Sequence, residues 1–429
     1  MKDSLVRVGV LGCGNVGAAL IALVGERSKE IEGRTGLSLE VRRVAVRNLT
    51  RERAVKLPAS VFTHDAAEVV NDPDIDVIVE VMGGIEPARG LLLDALKAGK
   101  PVVTANKELL ANFGVELFAA AESAGVDLLF EAAVAGAIPL MRPLRESLAG
   151  ERIRRVTGIV NGTTNFILTR MSSAGSSYAD ALAEAQSLGY AERDPTADVE
   201  GYDAGAKAAI IATVAFGAQV VAGDVYHEGI SEVTAEDIAF AHRLGYEIKL
   251  LAVAERGDDD RVGVRVHPAM VPASHPLATV RDSFNAVFIE GDSVGELMLY
   301  GRGAGGLPTA SAVLGDLIDA AGNLRKQTFA SLGRLERADI CPIDEMRGQY
   351  YLNTEVADRP GVLHEVSGVF ARHNVSIQSM EQEGLGDKAR LIFITHVASE
   401  SSIQATLHDL RELDVVRRVA SMMRVIGPA

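Results

Sequence analysis

The chain has 429 residues, too many for one ordinary hydrophobic core, so its length predicts two or three globular domains. Its formal net charge of −15 argues against a nucleic-acid-binding protein, which needs a basic surface to bind phosphates. The two cysteines, Cys13 and Cys341, lie far apart in the sequence, which argues against a disulfide framework and fits a reducing cytosol. The longest apolar run, residues 208–223, contains Gln219 and therefore indicates a buried helix and not a membrane span. We expect a cytoplasmic protein with neither nucleic acid nor membrane as a partner.

Residues 1–135 alternate short β-branched runs with helical patterns. This alternation predicts an α/β unit of the Rossmann type, in which helices cover both faces of a doubly wound parallel sheet. The predicted strands are 6–11, 39–46, 76–81, 101–104 and 127–131, and the predicted helices are 16–24 and 88–98.

The pattern changes after residue 135, where longer helical patterns mix with strands. Residues 136–330 therefore predict an α+β substrate and dimerisation domain, whose glycine-dense segment 301–308 precedes a helix at 309–322. We expect that last helix to pack back on the first domain. The other predicted helices are 139–148, 178–188, 204–216 and 235–244, and the predicted strands are 154–160, 262–266, 284–290 and 296–300.

The C-terminal part divides into a polar linker and a compact unit. Residues 331–349 show no periodicity and are predicted to be the linker. Residues 350–429 follow the pattern β-α-β-β-α-β, which predicts a ferredoxin-like module.

A dinucleotide-binding turn follows the first strand. Gly12, Gly14 and Gly17 fit the spacing G-x-G-x-x-G and open the first helix, together with Asn15 and Val16. At this place, glycines let backbone amides approach a pyrophosphate at the helix N-terminus. We therefore predict that these five residues bind a nicotinamide dinucleotide.

The ends of the later strands indicate which dinucleotide binds. The second strand ends in Arg47 where an acidic residue would favour NAD, and a guanidinium suits the 2′-phosphate of NADP. We expect NADP(H) to be preferred, with NAD(H) as the alternative. Gly83 and Lys107 follow two further strands, at the sheet edge where such folds bind ligands, and both are predicted to contact the cofactor.

The densest group of chemically active residues lies between 189 and 207. Pro195 prevents a continuous helix, so Glu192 is expected on a loop that can face a cleft. A second helix starts near Asp203, which makes Asp203 and Lys207 neighbours at the spacing i,i+4. Oxidation of a primary alcohol needs a base for the hydroxyl proton, and a partly buried lysine can supply one.

This segment resembles the homoserine dehydrogenase family. The run LGYAERDPTADVEGYDAGAKAAI is similar to a characteristic segment of that family, and LGCGNVG, EVMGG and TANK occupy the expected places. The resemblance implies that Lys207 is the proton donor and acceptor, that Lys107 is a second catalytic lysine, and that Glu192 and Asp203 bind substrate. Asp198 is a further substrate-binding candidate, and Gly189 and Gly303 are cofactor-binding candidates.

The implied reaction is the reversible oxidation of L-homoserine to L-aspartate 4-semialdehyde, a step in the synthesis of threonine, methionine and isoleucine. Because the base must first lose its proton, we expect oxidation to accelerate as the pH rises.

A family resemblance also implies a Na⁺ site in the run FEAAVAGAIP, with Glu131 and the carbonyl oxygens of Val134, Gly136 and Ile138 as ligands. Oxygen donors suit such a cation. The alternative is a strand-to-helix turn that buries one glutamate.

The run DRPGVL, which contains Asp358, Arg359 and Gly361, resembles the first turn of ACT domains. That resemblance implies feedback inhibition by L-threonine and, since ACT domains pair through their sheets, a homo-oligomer. The alternative is a dimerisation sheet that binds no effector.

The residues also bear on two rival functions. An aspartate-semialdehyde dehydrogenase needs a nucleophilic cysteine in its substrate domain, whereas Cys13 lies in the dinucleotide turn and Cys341 in the linker. A non-catalytic amino-acid sensor remains an alternative, although the complete set Lys107, Glu192, Asp203 and Lys207 argues against it.

Overall fold

A six-stranded parallel sheet organises the N-terminal part of the chain. The computed structural model describes residues 4–53, 55, 57–384, 386 and 388–427. The strand order β3-β2-β1-β4-β5-β6 is that of a doubly wound sheet, so the predicted Rossmann-type unit is confirmed. Its strands are β1 Leu5–Leu11, β2 Ser38–Ala45, β3 Phe62–Thr63, β4 Val77–Glu80, β5 Val102–Thr104 and β6 Leu128–Leu129. Its helices are α1 Asn15–Glu26, α2 Ser28–Thr35, α3 Ala66–Asn71, α4 Ala88–Lys97 and α5 Lys107–Ala124.

The last strand of this sheet is shorter than the sequence predicted. The strand predicted at 127–131 ends at Leu129, because residues Glu131–Ala133 form a 3₁₀ turn. Helices α2, α3 and α5 were not predicted. The short lengths and exposed faces of α2 and α3 hide their helical period. Helix α5 has 18 residues, and its pattern was available in the sequence.

A helix from later in the chain completes the first core. Helix α11, Gly306–Lys326, is longer than the predicted helix at 309–322 and packs against α1. Val313 and Leu317 of α11 share one buried cluster with Leu20 and Val24 of α1. Because these side chains leave water together, the first sheet depends on a helix that lies far away in sequence.

A second, mixed sheet carries the middle of the chain and extends into the C-terminal part. Its order is β13-β12-β7-β10-β11-β19-β15-β17-β16, with eleven strands when two short ones are included. The strands of the middle part are β7 Ile153–Ile159, β8 Ala218–Gln219, β9 Tyr226–His227, β10 Tyr246–Arg256, β11 Val262–Pro272, β12 Phe284–Gly291, β13 Gly295–Arg302 and β14 Glu336–Arg337. The helices are α6 Gly162–Ala174, α7 Tyr178–Ser187, α8 Thr196–Val199, α9 Tyr202–Phe216 and α10 Ala235–Arg243. Among the described helices of the chain, none has the length and apolar character that a membrane crossing requires.

Two predictions for this middle part were wrong in detail, and some of its elements were missed. The strand predicted at 262–266 continues to Pro272, because it pairs along its whole length with β10, a strand that the sequence did not reveal. Helix α6 was also missed. The helix predicted at 139–148 is largely a single π-helical turn, Pro143–Ser147, in which the Leu148 amide donates to the carbonyl oxygen of Pro143 at 2.8 Å.

The C-terminal unit has the predicted β-α-β-β-α-β order. Its elements are β15 Arg347–Ala357, α12 Val362–Arg372, β16 Ile377–Gly384, β17 Lys388–Thr395, α13 Glu400–Arg411 and β19 Val416–Val425, with the short strand β18 Ala398–Ser399. The segment predicted as a linker is not wholly irregular: it contains β14, and β15 begins within it at Arg347.

The C-terminal sheet joins the middle sheet directly. Strand β19 pairs in parallel with β11 through Ala269 with Arg424 and Met270 with Val425. The buried Arg424 guanidinium donates from Nε and Nη2 to both carboxylate oxygens of Glu400, at 3.0 and 2.9 Å, and from Nη1 to Glu228 Oε1 at 2.9 Å. Because Glu400 belongs to the C-terminal unit and Glu228 to the middle part, one cation ties the two together.

We predict that Arg424→Ala lowers the free energy of unfolding by about 3–5 kcal/mol, because it leaves the buried Glu400 carboxylate without its counter-charge. Urea denaturation followed by circular dichroism measures the loss. Arg372→Ala, which removes an exposed pair with Asp409, is the matched control and should change little. Equal effects of the two variants would contradict the importance of the buried pair.

Candidate active site

The predicted dinucleotide turn lies at the carboxyl edge of the first sheet, between β1 and α1. Gly12 has a φ of +104°, and a Cβ there would lie 2.8 Å from the carbonyl oxygen of Val81. A Cβ on Gly17 would lie 2.3 Å from the carbonyl oxygen of Gly12. Side chains at these two positions would therefore force the turn apart, and Gly14 provides the N-cap of α1.

A cleft of about 710 Å³ opens beside this turn. Gly12 and Gly14 line one side, and Arg47 and Arg53, which follow β2, lie on the other. Arg53 Nη1 donates to the carbonyl oxygen of Arg51 at 2.7 Å and so orders the loop, whereas Arg47 is exposed at the rim. The cleft has the place and the positive charge that an adenosine phosphate requires.

A buried glutamate that the sequence reading missed shapes the neighbouring part of the edge. Glu80 ends β4 and accepts hydrogen bonds from the backbone amides of Met82 and Gly83, both at 2.8 Å, and from Thr104 Oγ1 at 2.6 Å. Asn106 Nδ2 donates to the carbonyl oxygen of Gly84 at 2.6 Å. Side chains from two strand ends thus hold the Gly83 turn. In the sequence, the position of Glu80 inside an apolar strand run could have indicated its role.

The three charged residues predicted near the chemistry meet in one cluster. Asp203, at the start of α9, has only 8% of its surface exposed. Its Oδ2 accepts from Lys207 Nζ at 2.6 Å, and its Oδ1 lies 2.7 Å from Lys107 Nζ. Lys207 also donates to the carbonyl oxygen of Val160 at 2.7 Å. Since Lys107 comes from α5 of the first unit, the cluster spans the boundary between the two units.

The charges of Asp203 and Lys107 stabilise each other in their ionised forms. Burial alone would raise the pKa of Asp203, but the ammonium groups of Lys207 and Lys107 outweigh it and hold that pKa well below its usual range. Burial would lower the pKa of Lys107, but the Asp203 carboxylate more than offsets it, and the net shift is upward. At neutral pH Asp203 is therefore ionised and Lys107 carries its proton.

An asparagine that the sequence reading also missed links two acids of the site. Asn161 Nδ2 donates to Asp198 Oδ1 at 2.7 Å and to Asp203 Oδ2 at 2.8 Å. Burial raises the pKa of Asp198, against the lowering effect of the Asn161 hydrogen bond. The structure thus brings Asp198 into the cluster. The available signal for Asn161 was its place at a strand end, just before Gly162.

Three other predicted site residues lie outside this cluster. Gly189 and Glu192 are exposed on the loop after α7, where the backbone oxygen of Glu192 accepts from Gln186 Nε2 at 3.0 Å. Gly303 packs on Gly136, whose Cβ, if present, would lie 2.2 Å from the Gly303 oxygen. Each is close in sequence to a segment that borders the site, but none contacts the two lysines.

The predicted cation segment forms a tight buried turn. The Glu131 carboxylate accepts from the backbone amides of Leu140, of Met141 at 2.7 Å and of Arg142 at 3.0 Å. Ala135 and Gly136 have left-handed φ angles of 56° and 57° and curl the chain. The Glu131 side chain therefore caps the helical turn that follows it.

The predicted effector turn lines a cavity of about 220 Å³ in the C-terminal unit. Asp358, Arg359 and Gly361 border it, with Gln382 and Leu391 from the neighbouring strands. Gly361 has a φ of +94° and begins α12. The cavity is large enough for a small amino acid.

The dinucleotide turn and the adjacent lysine–aspartate cluster together define a nicotinamide-dependent oxidoreductase. Family models give the narrower assignment: residues 12–131 match the homoserine dehydrogenase NAD-binding domain, residues 139–318 match homoserine dehydrogenase, and residues 350–415 match the ACT domain.

Relatives along the full length agree with these models. The homoserine dehydrogenase of Mycobacterium tuberculosis is 50% identical over 98% of both chains. The crystal structure of a homoserine dehydrogenase from Thiobacillus denitrificans has a TM-score of 0.93 and 41% identity, over 99% of this chain and 98% of that one. A hyperthermophilic archaeal homoserine dehydrogenase in complex with NADPH has a TM-score of 0.63 and 31% identity, over 74% of this chain and 97% of that one. The chain belongs to the homoserine dehydrogenase family.

We predict that Asp203→Asn lowers the free energy of unfolding by about 3 kcal/mol, because two ammonium groups lose their shared counter-charge. A depressed folded-state pKa stabilises the fold at every pH above the ordinary carboxyl pKa of about 4, and this contribution disappears only in acid. The loss should therefore be equal at pH 5 and pH 7 in urea denaturation. Asp194→Asn, at an exposed position on the loop before α8 where an amide oxygen can still accept from Thr196, is the control and should change little. A loss that grows between pH 5 and pH 7 would contradict a low pKa for Asp203.

Proposed function

We propose that the chain catalyses the reversible, NADP(H)-dependent oxidation of L-homoserine to L-aspartate 4-semialdehyde, in the synthesis of threonine, methionine and isoleucine. The observation that carries this proposal is the Lys107–Asp203–Lys207 cluster beside the dinucleotide edge. Homoserine has an ammonium, a carboxylate and a primary hydroxyl group, and the cluster and its surroundings offer groups of both charges to orient them.

The charge and position of each residue suggest its role in the proposed reaction. In oxidation, Lys207 takes the hydroxyl proton, and in reduction it returns that proton to the carbonyl oxygen. Asp203 holds Lys207 in place, and Lys107, which stays protonated, stabilises negative charge on the substrate. Asp198 and Glu192 bind the substrate ammonium group. NADP⁺, which the Gly12–Gly17 turn and Arg47 would hold, would supply the acceptor for the hydride of the carbinol carbon, so that hydride, proton and the new C=O bond balance.

We propose NADP(H) as the preferred cofactor and NAD(H) as the alternative. Arg47 lies at the rim of the cleft, where a guanidinium can pair with a 2′-phosphate, and a related archaeal enzyme was crystallised with NADPH. The binding residues proposed are Gly12, Gly14, Asn15, Val16, Gly17, Arg47, Gly83, Lys107, Gly189 and Gly303.

The remaining proposals concern organisation. We propose a dinucleotide domain at 1–135, which α11 completes, a catalytic domain at 136–330, a linker at 331–349 and an ACT domain at 350–429, in a cytoplasmic homo-oligomer.

We further propose a Na⁺ site at the carbonyl oxygens of Val134, Gly136 and Ile138. Glu131, whose carboxylate is held by three amides, supplies nearby negative charge.

The test of the reaction is the initial rate of nicotinamide reduction with L-homoserine, using NADP⁺ and NAD⁺ in parallel. We expect a higher kcat/KM with NADP⁺, and a loss on the order of 10³-fold in kcat for Lys207→Ala, since the variant lacks the base. Cofactor binding, measured by fluorescence titration with NADPH, should survive in the variant. Absence of turnover by the wild type with both cofactors would contradict the assignment and favour an amino-acid sensor.

We also propose that L-threonine binds the cavity at Asp358, Arg359 and Gly361 and inhibits the enzyme. Its ammonium and carboxylate match the Asp358 carboxylate and the backbone amides at the start of α12. The cavity borders the sheet that continues into the catalytic part.

Inhibition of homoserine oxidation by L-threonine tests this site. Asp358→Ala should raise the half-inhibitory concentration on the order of tenfold, because it removes one charged hydrogen bond. Asp414→Ala, an exposed acid of the same unit outside the cavity, is the control and should leave that concentration unchanged. An unaltered response of the Asp358 variant would place the effector elsewhere.

A further inference from the structure

A single buried amide joins the two aspartates of the site. Asn161 lies between the end of β7 and the start of α6 and is 5% exposed. Its Nδ2 donates to Asp198 Oδ1 at 2.7 Å and to Asp203 Oδ2 at 2.8 Å, and its Oδ1 accepts from the backbone amide of Thr164 at 2.9 Å. Because Oδ1 is engaged by a backbone N–H, the amide can face the carboxylates only with its NH₂ group.

The chemistry of this position suits an asparagine. Two neighbouring carboxylates repel each other, and a neutral NH₂ group gives each of them one donor without adding a charge. An aspartate would add a third negative charge, and a cation would compete with Lys207 and Lys107 for Asp203. We infer that Asn161 is a positioning residue of the proposed reaction: it fixes Asp198 and Asp203 relative to each other and to Lys207.

The hydrogen bonds show how Asn161 acts through its neighbours. Asp203 Oδ2 receives both Asn161 Nδ2 and Lys207 Nζ, so the two donors share one oxygen. The residue before Asn161, Val160, accepts from Lys207 Nζ through its carbonyl oxygen at 2.7 Å. Two consecutive residues at the end of β7 therefore hold the proposed base and the carboxylate that orients it. If the Asn161 amide donor is removed, the Asp203 carboxylate interacts more strongly with the ammonium group of Lys207.

The backbone around Asn161 has little freedom to move. Strand β7 is paired on both sides, with β10 and with β12. A Cβ on the next residue, Gly162, would lie 2.7 Å from the carbonyl oxygen of Ser283, so the chain approaches that loop closely. The amide is thus mounted on a rigid part of the fold, which a positioning role requires.

The inference rests on the proposed function, and its test compares Asn161→Asp and Asn161→Ala with Asn165→Ala. Asn165 is a buried amide one turn further along α6 that donates to the carbonyl oxygens of Asp282, at 2.9 Å, and Phe284, at 3.1 Å, and provides the matched control. The measurements are kcat and KM for L-homoserine oxidation from pH 6 to pH 10 at saturating NADP⁺, thermal unfolding, and NADPH binding.

We expect Asn161→Asp to move the pH of half-maximal kcat upward by about one unit, because its added negative charge stabilises the protonated lysine. Asn161→Ala should move it in the same direction by less, because the Asp203 carboxylate loses one hydrogen-bond donor and interacts more strongly with the lysine. Asn161→Ala should also raise KM for L-homoserine on the order of tenfold, since Asp198 loses its anchor, with NADPH binding unchanged. Asn165→Ala should lower the melting temperature without moving the pH midpoint.

A purely structural role of Asn161 would give a different set of measurements. If the Asn161 variants lose thermal stability but keep the wild-type pH midpoint and KM, Asn161 serves only as the cap of α6 and the inference is overturned. Absence of wild-type turnover would instead overturn the proposed function itself, so the two failures can be told apart.

Discussion

The proposed active site depends on one buried carboxylate that two lysines from different folding units share. Burying an ion is costly, and the cost is offset only when counter-charges lie close and every remaining lone pair has a donor. Asp203 meets that condition with Lys207 on its own helix, Lys107 on α5 and the Asn161 amide. All of these partners are present together only when the dinucleotide unit and the catalytic unit have this relative position. The cluster proposed to carry the chemistry therefore also connects the two units.

The same physical rule applies where the ACT unit meets the catalytic part. Arg424 is buried because Glu400 and Glu228 both neutralise it, and strand pairing between β11 and β19 places it there. Glu228 belongs to a short segment whose Ile230 amide donates to the carbonyl oxygen of Val199 at 2.8 Å. Val199 ends the helix that carries Asp198. Contacts thus run without interruption from the C-terminal strand to the helix of Asp198, an acid of the proposed substrate site.

Glycines mark the places where backbone approaches backbone. Gly17 and Gly12 leave no room for a Cβ between the dinucleotide turn and α1, and Gly136 has none beside Gly303. The first pair follows a recognisable spacing and could be interpreted directly from the sequence. The second pair could not, because Gly136 and Gly303 lie far apart in the sequence and no spacing motif joins them.

Local chemistry, which the sequence contains, determined a large part of this protein. Strand–helix alternation, the glycine turn, the ferredoxin-like module and the i,i+4 spacing of Asp203 and Lys207 all depend on residues near one another in the chain, so periodicity and residue type predict them. The contact of Lys107 with Asp203, the partners of Glu80, the bridge made by Asn161 and the joining of the two sheets at β11 and β19 were decided by the tertiary structure. These contacts join segments that no short-range pattern connects. They form because packing brings strand ends to a common edge, where buried charges and amides must find partners.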